Sequence, residues 1–260
     1  MLVYTFDNTL DGLLSAVFDA FYYHEMPNDL LTAGDAIPLF CDRIHEVHTD
    51  EDKSKRVWKG LENKLSYIGL SIITISFLSE ERDKNYALFS YICKAFKNPN
   101  KISIEKNFSD PDVLLCTQTY RRVCYEAKRM KQFLRFQQAK DGTYLGVIHP
   151  DHNVLPLIID HFKDRFNDQC FLIFDAKRKY GYYYDKEEAS RITFSEGETL
   201  PFDNETGKMN SDILSDNDKL FQDLWKTYFK AICIKERLNP KKQAGDMPRR
   251  YWKYMTEKQN

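Results

Sequence analysis

From Trp225 to the end of a 260-residue chain, basic residues and large aromatics alternate: Trp225, Lys226, Tyr228, Phe229, Lys230, then Lys235, Arg237, Lys241 and Lys242, then Arg249-Arg250-Tyr251-Trp252-Lys253-Tyr254. Cations interleaved with flat rings suit a phosphate backbone that carries stackable bases. Two further elements carry the same charge. Turning 100° per residue over 119–140 places Tyr120, Val123, Ala127, Met130 and Leu134 on one helix face. Arg121, Arg122, Lys128, Arg129, Lys131 and Arg135 fall on the other, with Tyr125 and Phe136 among them. The run Lys177-Arg178-Lys179 reads as a basic hairpin turn. The candidate nucleic-acid ligands are therefore Arg129, Arg135, Lys177, Arg178, Lys241, Lys242, Arg249, Arg250, Tyr251, Trp252 and Lys253. The blander alternative is that Trp252 and Tyr254 dock the tail on the core and leave a solvated basic face outside. Charged helix faces are most often merely solvated, and the three elements reinforce one another only if they converge.

His149, Asp151, His152 and His161 have metal-ligand chemistry, but their spacing is loose and no Cys or Glu completes a recognisable set. The structural reading is that His152 caps a turn and His161 packs under a sheet, so neither a metal nor a cofactor is expected. His152 or His161 with Asp175 is a weak candidate for acid–base catalysis. Asp7 and Asp11 beside Gly12 could pair as carboxylates, although capping and a tight turn explain them more simply. No P-loop, Gly-x-Gly-x-x-Gly, Gly-x-Ser-x-Gly or His-Glu-x-x-His is present, and no complete catalytic constellation emerges.

The elements that must position these residues read as an α+β chain. Val3–Phe6 is an expected strand, followed by a helix capped at Thr9 or Asp11 and running to about Tyr23. Ile37–Phe40 and Ile44–His48 are expected short strands, and 53–65, 71–78 and 85–97 expected helices. Asp110-Pro111 opens a long central helix expected to reach Lys140. Strands at 143–149, 170–175, 180–184 and 192–194, with a helix at 154–166, predict an antiparallel sheet with a helix against it. Residues 195–217 read as a loop, and 218–237 as an amphipathic helix. Pro240, Gly245 and Pro248 read as boundaries of a mobile tail, 240–260, whose removal should spare the core. The whole reads as one α+β domain, 1–260, with a helical N-terminal half and two candidate lobes, 1–105 and 106–260.

Composition fits a soluble protein: 42% hydrophobic, 30% charged, net charge −1. The charge is segregated. Residues 1–100 and 185–223 lean acidic, and 119–140 and 225–258 are basic, so a local potential is available despite a neutral total. The N-terminus lacks a basic region followed by a long apolar run, so a signal peptide is not expected. The apolar run around Ile68–Leu78 is too short and polar to span a bilayer. The six scattered cysteines form no Cys-x-x-Cys and read as reduced thiols, which points to the cytoplasm. No Cys-x-x-x-Cys-x-x-Cys is present to carry a radical-SAM cluster in the usual way.

Asp11-Gly12-Leu13-Leu14-Ser15-Ala16-Val17-Phe18, Arg135-Phe136, Pro150-Asp151-His152-Asn153-Val154-Leu155-Pro156-Leu157, His161-Phe162, Arg165-Phe166, Asp175, Arg178 and Met247-Pro248-Arg249-Arg250-Tyr251-Trp252 stand out along the chain. Together these stretches resemble a bacterial family described as probable DNA metabolism or putative DNA repair proteins. Leu10 departs from the aromatic usual before the Asp-Gly pair, and Asn167 from the Pro that often follows Arg-Phe. Members of that family are partnered with a radical-SAM protein assigned to DNA repair or modification. The same domain also occurs fused ahead of a uracil-DNA-glycosylase-like domain. The resemblance implies an accessory DNA-binding protein, with DNA and the radical-SAM protein as partners. The alternatives are an enzyme acting on nucleotides or DNA through His152, His161 and Asp175, and a protein–protein adaptor.

Overall fold

The computed structural model describes residues 1–98, 104–194, 200–232 and 239–259. Residues 195–199 of the expected loop, 233–237 of the expected last helix with Cys233, and 99–103 near the expected lobe boundary lie outside that description. The α+β class holds. The chain forms two compact units, Met1–Cys124 and Tyr125–Asn260, and the division falls inside a helix.

The first unit is built on a three-stranded parallel sheet, ordered β2-β1-β3, from β1 (Leu2–Phe6), β2 (Asp29–Thr32) and β3 (Arg43–Glu46). Helix α1 (Leu10–Tyr22) packs its buried face, including Leu13, Leu14 and Val17, against the core shared with α2 (Glu51–Glu62), α3 (Tyr67–Phe77) and α4 (Lys84–Lys97). Thr9 is the N-cap, its Oγ1 accepting from the Gly12 amide at 2.9 Å. Asp7 takes the Thr9 amide and hydroxyl at 3.0 and 2.7 Å and the Thr49 hydroxyl at 2.8 Å. Burial pushes its carboxyl up, but these donors outweigh burial and hold it below the ordinary range. A Cβ at Gly12 would lie 2.2 Å from Asp7 Oδ1, which is why glycine stands there. Asp11 turns away to accept the Ser54 hydroxyl at 2.5 Å, so the two acids do not pair. The expected strand at Ile37–Phe40 is absent. Leu39 and Phe40 are 97% and 87% exposed, Pro38 offers no ladder donor, and Leu30, 3% exposed, supplies the buried strand instead.

The second unit is built on a five-stranded sheet, β4-β5-β6-β7-β8, from Phe136–Gln138, Tyr144–Ile148, Phe171–Asp175, Tyr180–Tyr184 and Ala189–Thr193. Helix α5 (Pro111–Phe133) stops short of the expected Lys140. Beyond it the chain extends, because Phe136 packs edge-on against Phe162 and Phe166 at 5.6 and 5.4 Å, and Gln137 and Gln138 pair with β5. Burial of that ring overrides local helix propensity. Three pairings are antiparallel as expected, but β5 and β6 are parallel. Helix α6 (Leu155–Arg165) carries the chain back between them, which only a parallel pair requires. Helix α7 (Asp216–Ala231) and α8 (Pro240–Asp246) follow.

The expected tail forms helical turns over its described residues. Pro240 is the first residue of α8, where a missing N–H costs nothing, and Asn239 caps it through the Lys242 amide at 2.9 Å. Short 3₁₀ turns at Arg249–Tyr254 and Thr256–Lys258 then bury Tyr251 and Met255.

Candidate nucleic-acid interface

Ile148 and Asp175 end the parallel strands β5 and β6 side by side in register, and the Ala176 amide bonds to the Ile148 carbonyl at 2.9 Å. Two loops leave this edge together, 149–153 and 176–179. The carboxyl ends of parallel strands are where open α/β sheets commonly bind ligands, since the loops splay there and leave groups unpaired by the ladder.

Glu126, on the apolar face of α5 and only 3% exposed, governs the first loop. Its Oε1 accepts from the Asp151 amide at 2.9 Å and Oε2 from the His152 amide at 2.8 Å. The same carboxylate takes the Tyr251 hydroxyl at 2.8 Å and the Arg250 Nη2 at 2.9 Å. Arg250 also reaches the Asp151 carboxylate and the Tyr251 hydroxyl. One buried acid thus ties the central helix, the loop and the tail together. Burial pushes the Tyr251 phenol up to about 12.

Asp175, fully buried, governs the second loop. Its Oδ1 accepts the Lys177 and Arg178 amides at 3.0 and 3.2 Å, and Oδ2 takes Arg178 Nη1 at 2.6 Å. Burial raises its carboxyl above the ordinary range, with Arg178 pulling the other way. Arg178 crosses to the Pro150 and Asp151 carbonyls at 3.3 and 2.8 Å, and Lys177 Nζ reaches the Asp151 carbonyl at 2.8 Å. Tyr180 closes the third side by donating to Asn153 Oδ1. The basic hairpin turn, the central helix and the tail therefore converge on residues 150–153.

The remaining candidates divide by task. Arg135 lies past α5 and is paired with Glu257 at 2.6 Å, its guanidinium 5.7 Å from the Trp225 ring. Arg129 donates to the Gly245 carbonyl at 3.3 Å and stacks on Tyr125 at 4.5 Å. Lys242 pairs with Asp246 at 2.9 Å, while Lys241, Arg249 and Lys253 are exposed. Trp252 is half-buried. Its indole donates to the Met247 carbonyl at 2.9 Å, and its ring meets the cations of Arg249 and Lys258 at 5.7 and 4.7 Å. Lys253 lies over Tyr254, and Tyr254 stacks on His149 with centroids 6.2 Å apart. The interleaved cations and rings thus recognise one another within the chain.

His161 sits half-buried on α6, edge-on to Phe162 at 5.2 Å, while the backbone of His152 serves Glu126. Asp175 spends both oxygens on its own loop, so it holds architecture at this edge. Among the described residues, no group of three or more His, Cys, Asp or Glu is placed to hold a metal ion. Among the same described residues, no helix is long and apolar enough to cross a membrane. The residue that sequence reasoning missed is Glu126. Its signal was an acid set between Val123 and Met130 on the apolar face of the central helix.

A protein-family model matches residues 82–257, more than half of the chain. The chain belongs to that family, a domain of unknown function, DUF4130. Glu126, both loops and the tail to Glu257 lie inside the DUF4130 match, and the parallel sheet of the first unit precedes it. No curated protein matches this member of DUF4130. Among solved structures, a pGpG-specific phosphodiesterase from Vibrio cholerae is similar at a TM-score of 0.32 and 11% identity, over 88% of this chain and 99% of that one.

Proposed function

We propose that this DUF4130 protein is a cytoplasmic, non-catalytic DNA-binding accessory in DNA repair or modification. It presents DNA to a separate catalytic partner, a radical-SAM protein. One observation carries the reading: the central helix, the basic turn and the basic tail meet on the loop 150–153 through Glu126, Asp175 and Arg178. Separate solvated faces would have no reason to share one anchored loop at the carboxyl end of a parallel strand pair. Exposed Arg249, Lys253 and Lys241 supply charge from elements tied to that loop. The resemblance to DNA repair proteins supplies the partner class. Asp175, turned onto Arg178, weighs against the alternative that it acts as a catalytic acid.

The test is a binding titration against single- and double-stranded DNA across a range of salt, with and without the radical-SAM protein. Log affinity should fall linearly with log salt and depend weakly on sequence. A flat salt response, or no binding at low salt, would remove the reading.

A further inference from the structure

Helix α7 wears its apolar side outward. The side turned to the rest of the second unit mixes polar and aromatic groups: Asp218 is buried and bonded to the Gln138 amide at 2.8 Å and to Gln222, the Trp225 indole donates to Glu257 at 3.0 Å, and the half-buried Phe229 ring lies under Lys258 at 5.0 Å. The opposite side carries Leu220, Phe221, Leu224 and Tyr228, continued by Ile232 just past its end, between 54% and 62% exposed. At 100° per residue these five fall within an arc of about 120°, the width of a core-facing stripe. A stripe of this kind facing water marks an interaction surface, since scattered apolar residues would not recur at helical spacing.

We propose that a second copy of the chain covers this face, with α7 packed against α7. Each side chain leaves on the order of 100 Å² uncovered, so a pair buries roughly 1,000–1,200 Å² with partly exposed Trp225 included, near the lower edge of stable interfaces. A two-fold contact lays the same stripe on both sides and needs no complementary pocket elsewhere. The chemistry disfavours nucleic acid as the occupant. Leu220 and Leu224 offer bases nothing to stack on, and among residues 216–232 no Lys or Arg falls within that arc to meet a phosphate. The inference stands independently of the DNA reading.

Sedimentation equilibrium of the full chain at moderate salt, from about 1 to several hundred µM, tests it. The average mass should climb from 30.8 kDa towards twice that value. Leu224→Glu should weaken association at least about tenfold with an unchanged circular dichroism spectrum and melting curve. Leu220→Glu, near one end of the stripe, does the same job if Leu224→Glu fails to fold. A monomer at every concentration overturns the proposal, and so does association that both variants leave intact. A monomer whose affinity for single-stranded DNA drops in Phe221→Ala and Tyr228→Ala also overturns it, because the face would then be a stacking surface.

Discussion

Replacing Glu126 by alanine removes the acceptor of four hydrogen bonds at once: two from backbone amides, one from Tyr251 and one from Arg250. Arg250 is the least damaged of these donors, because 45% of its side chain is exposed and water can replace the lost partner. Tyr251 is only 2% exposed and keeps no comparable substitute. Stranding a buried donor costs about 1–3 kcal/mol, and breaking a buried charged network about 3–5 kcal/mol. Some of the four contributions overlap, so the expected loss is about 3–5 kcal/mol, or roughly 6–20 °C in melting temperature. Glu126→Gln keeps the shape and one acceptor oxygen but turns an amide NH₂ towards donors, and about 1–3 kcal/mol is expected. Urea unfolding followed by tryptophan fluorescence gives the energies. Amide exchange at Asp151 and His152 reports the loop directly and should accelerate in both variants. If Glu126→Ala stays within about 1 kcal/mol of the parent, or leaves that exchange unchanged, Glu126 does not hold the loop and does not join it to the tail.

Deleting residues after Pro240 should unfold or loosen the second unit, because it removes buried Tyr251 and Met255 and strands both Glu126 and Arg135; a truncated chain with parental melting and protease resistance would refute this. Glu257 should make the second unit acid-sensitive. Burial pushes its carboxyl up, yet the bonds from Arg135 and Trp225 hold it below the ordinary range, so its contribution is complete above the unfolded glutamate value of about 4.3 and is lost as pH falls through the folded one. Urea midpoints between about pH 3 and 7 should therefore fall less steeply at the acid end in Glu257→Gln, and an identical pH profile would contradict the assignment. Arg249→Ala should lower the salt slope of DNA binding by about one, whereas Arg250→Ala should act mainly on stability. The reverse pattern would show that Arg250 leaves Glu126 to bind phosphate.

Much of the fold was legible where turn chemistry and periodicity agree. Thr9 as a cap, the helix after Pro150-Asp151-His152-Asn153, and the turn between Asp175 and Tyr180 are local events that a few residues decide. The end of α5 was not, because Arg135 and Phe136 continue its amphipathic pattern and only the aromatic contacts of Phe136 pull the chain into β4. The parallel pairing of β5 and β6 also escaped, since strand content says nothing about which way a crossover returns. At the site, Arg178 and Asp175 were named separately while their bond was invisible. Glu126 carried a readable sign, an acid on a buried stripe that must find donors. Its partners Arg250 and Tyr251 lie more than a hundred residues away, beyond any local rule.

The tail shows why composition alone could not decide between site and structure. A cation beside a ring is the signature of nucleic-acid stacking and equally of cation–π pairs made within a fold. Here the second use is visible in Arg249 with Trp252, Lys253 with Tyr254, and Lys258 with Trp252 and Phe229. The arginines divide in the same way. Arg135, Arg178 and Arg250 each face a buried carboxylate, so a phosphate could recruit them only by stranding Glu257, Asp175 or Glu126. That exchange gains one charged hydrogen bond and leaves another charge unpaired in the interior, which is unfavourable. Lys241, Arg249 and Lys253 remain on the outside, the last two beside ring faces, while Lys177 and Lys242 are bonded to the Asp151 carbonyl and to Asp246. A DNA-binding surface built in this way uses its arginines to set the shape of the loop and its exposed cations to touch the backbone. Affinity would then follow a few peripheral charges, while any selectivity would come from the loop they surround.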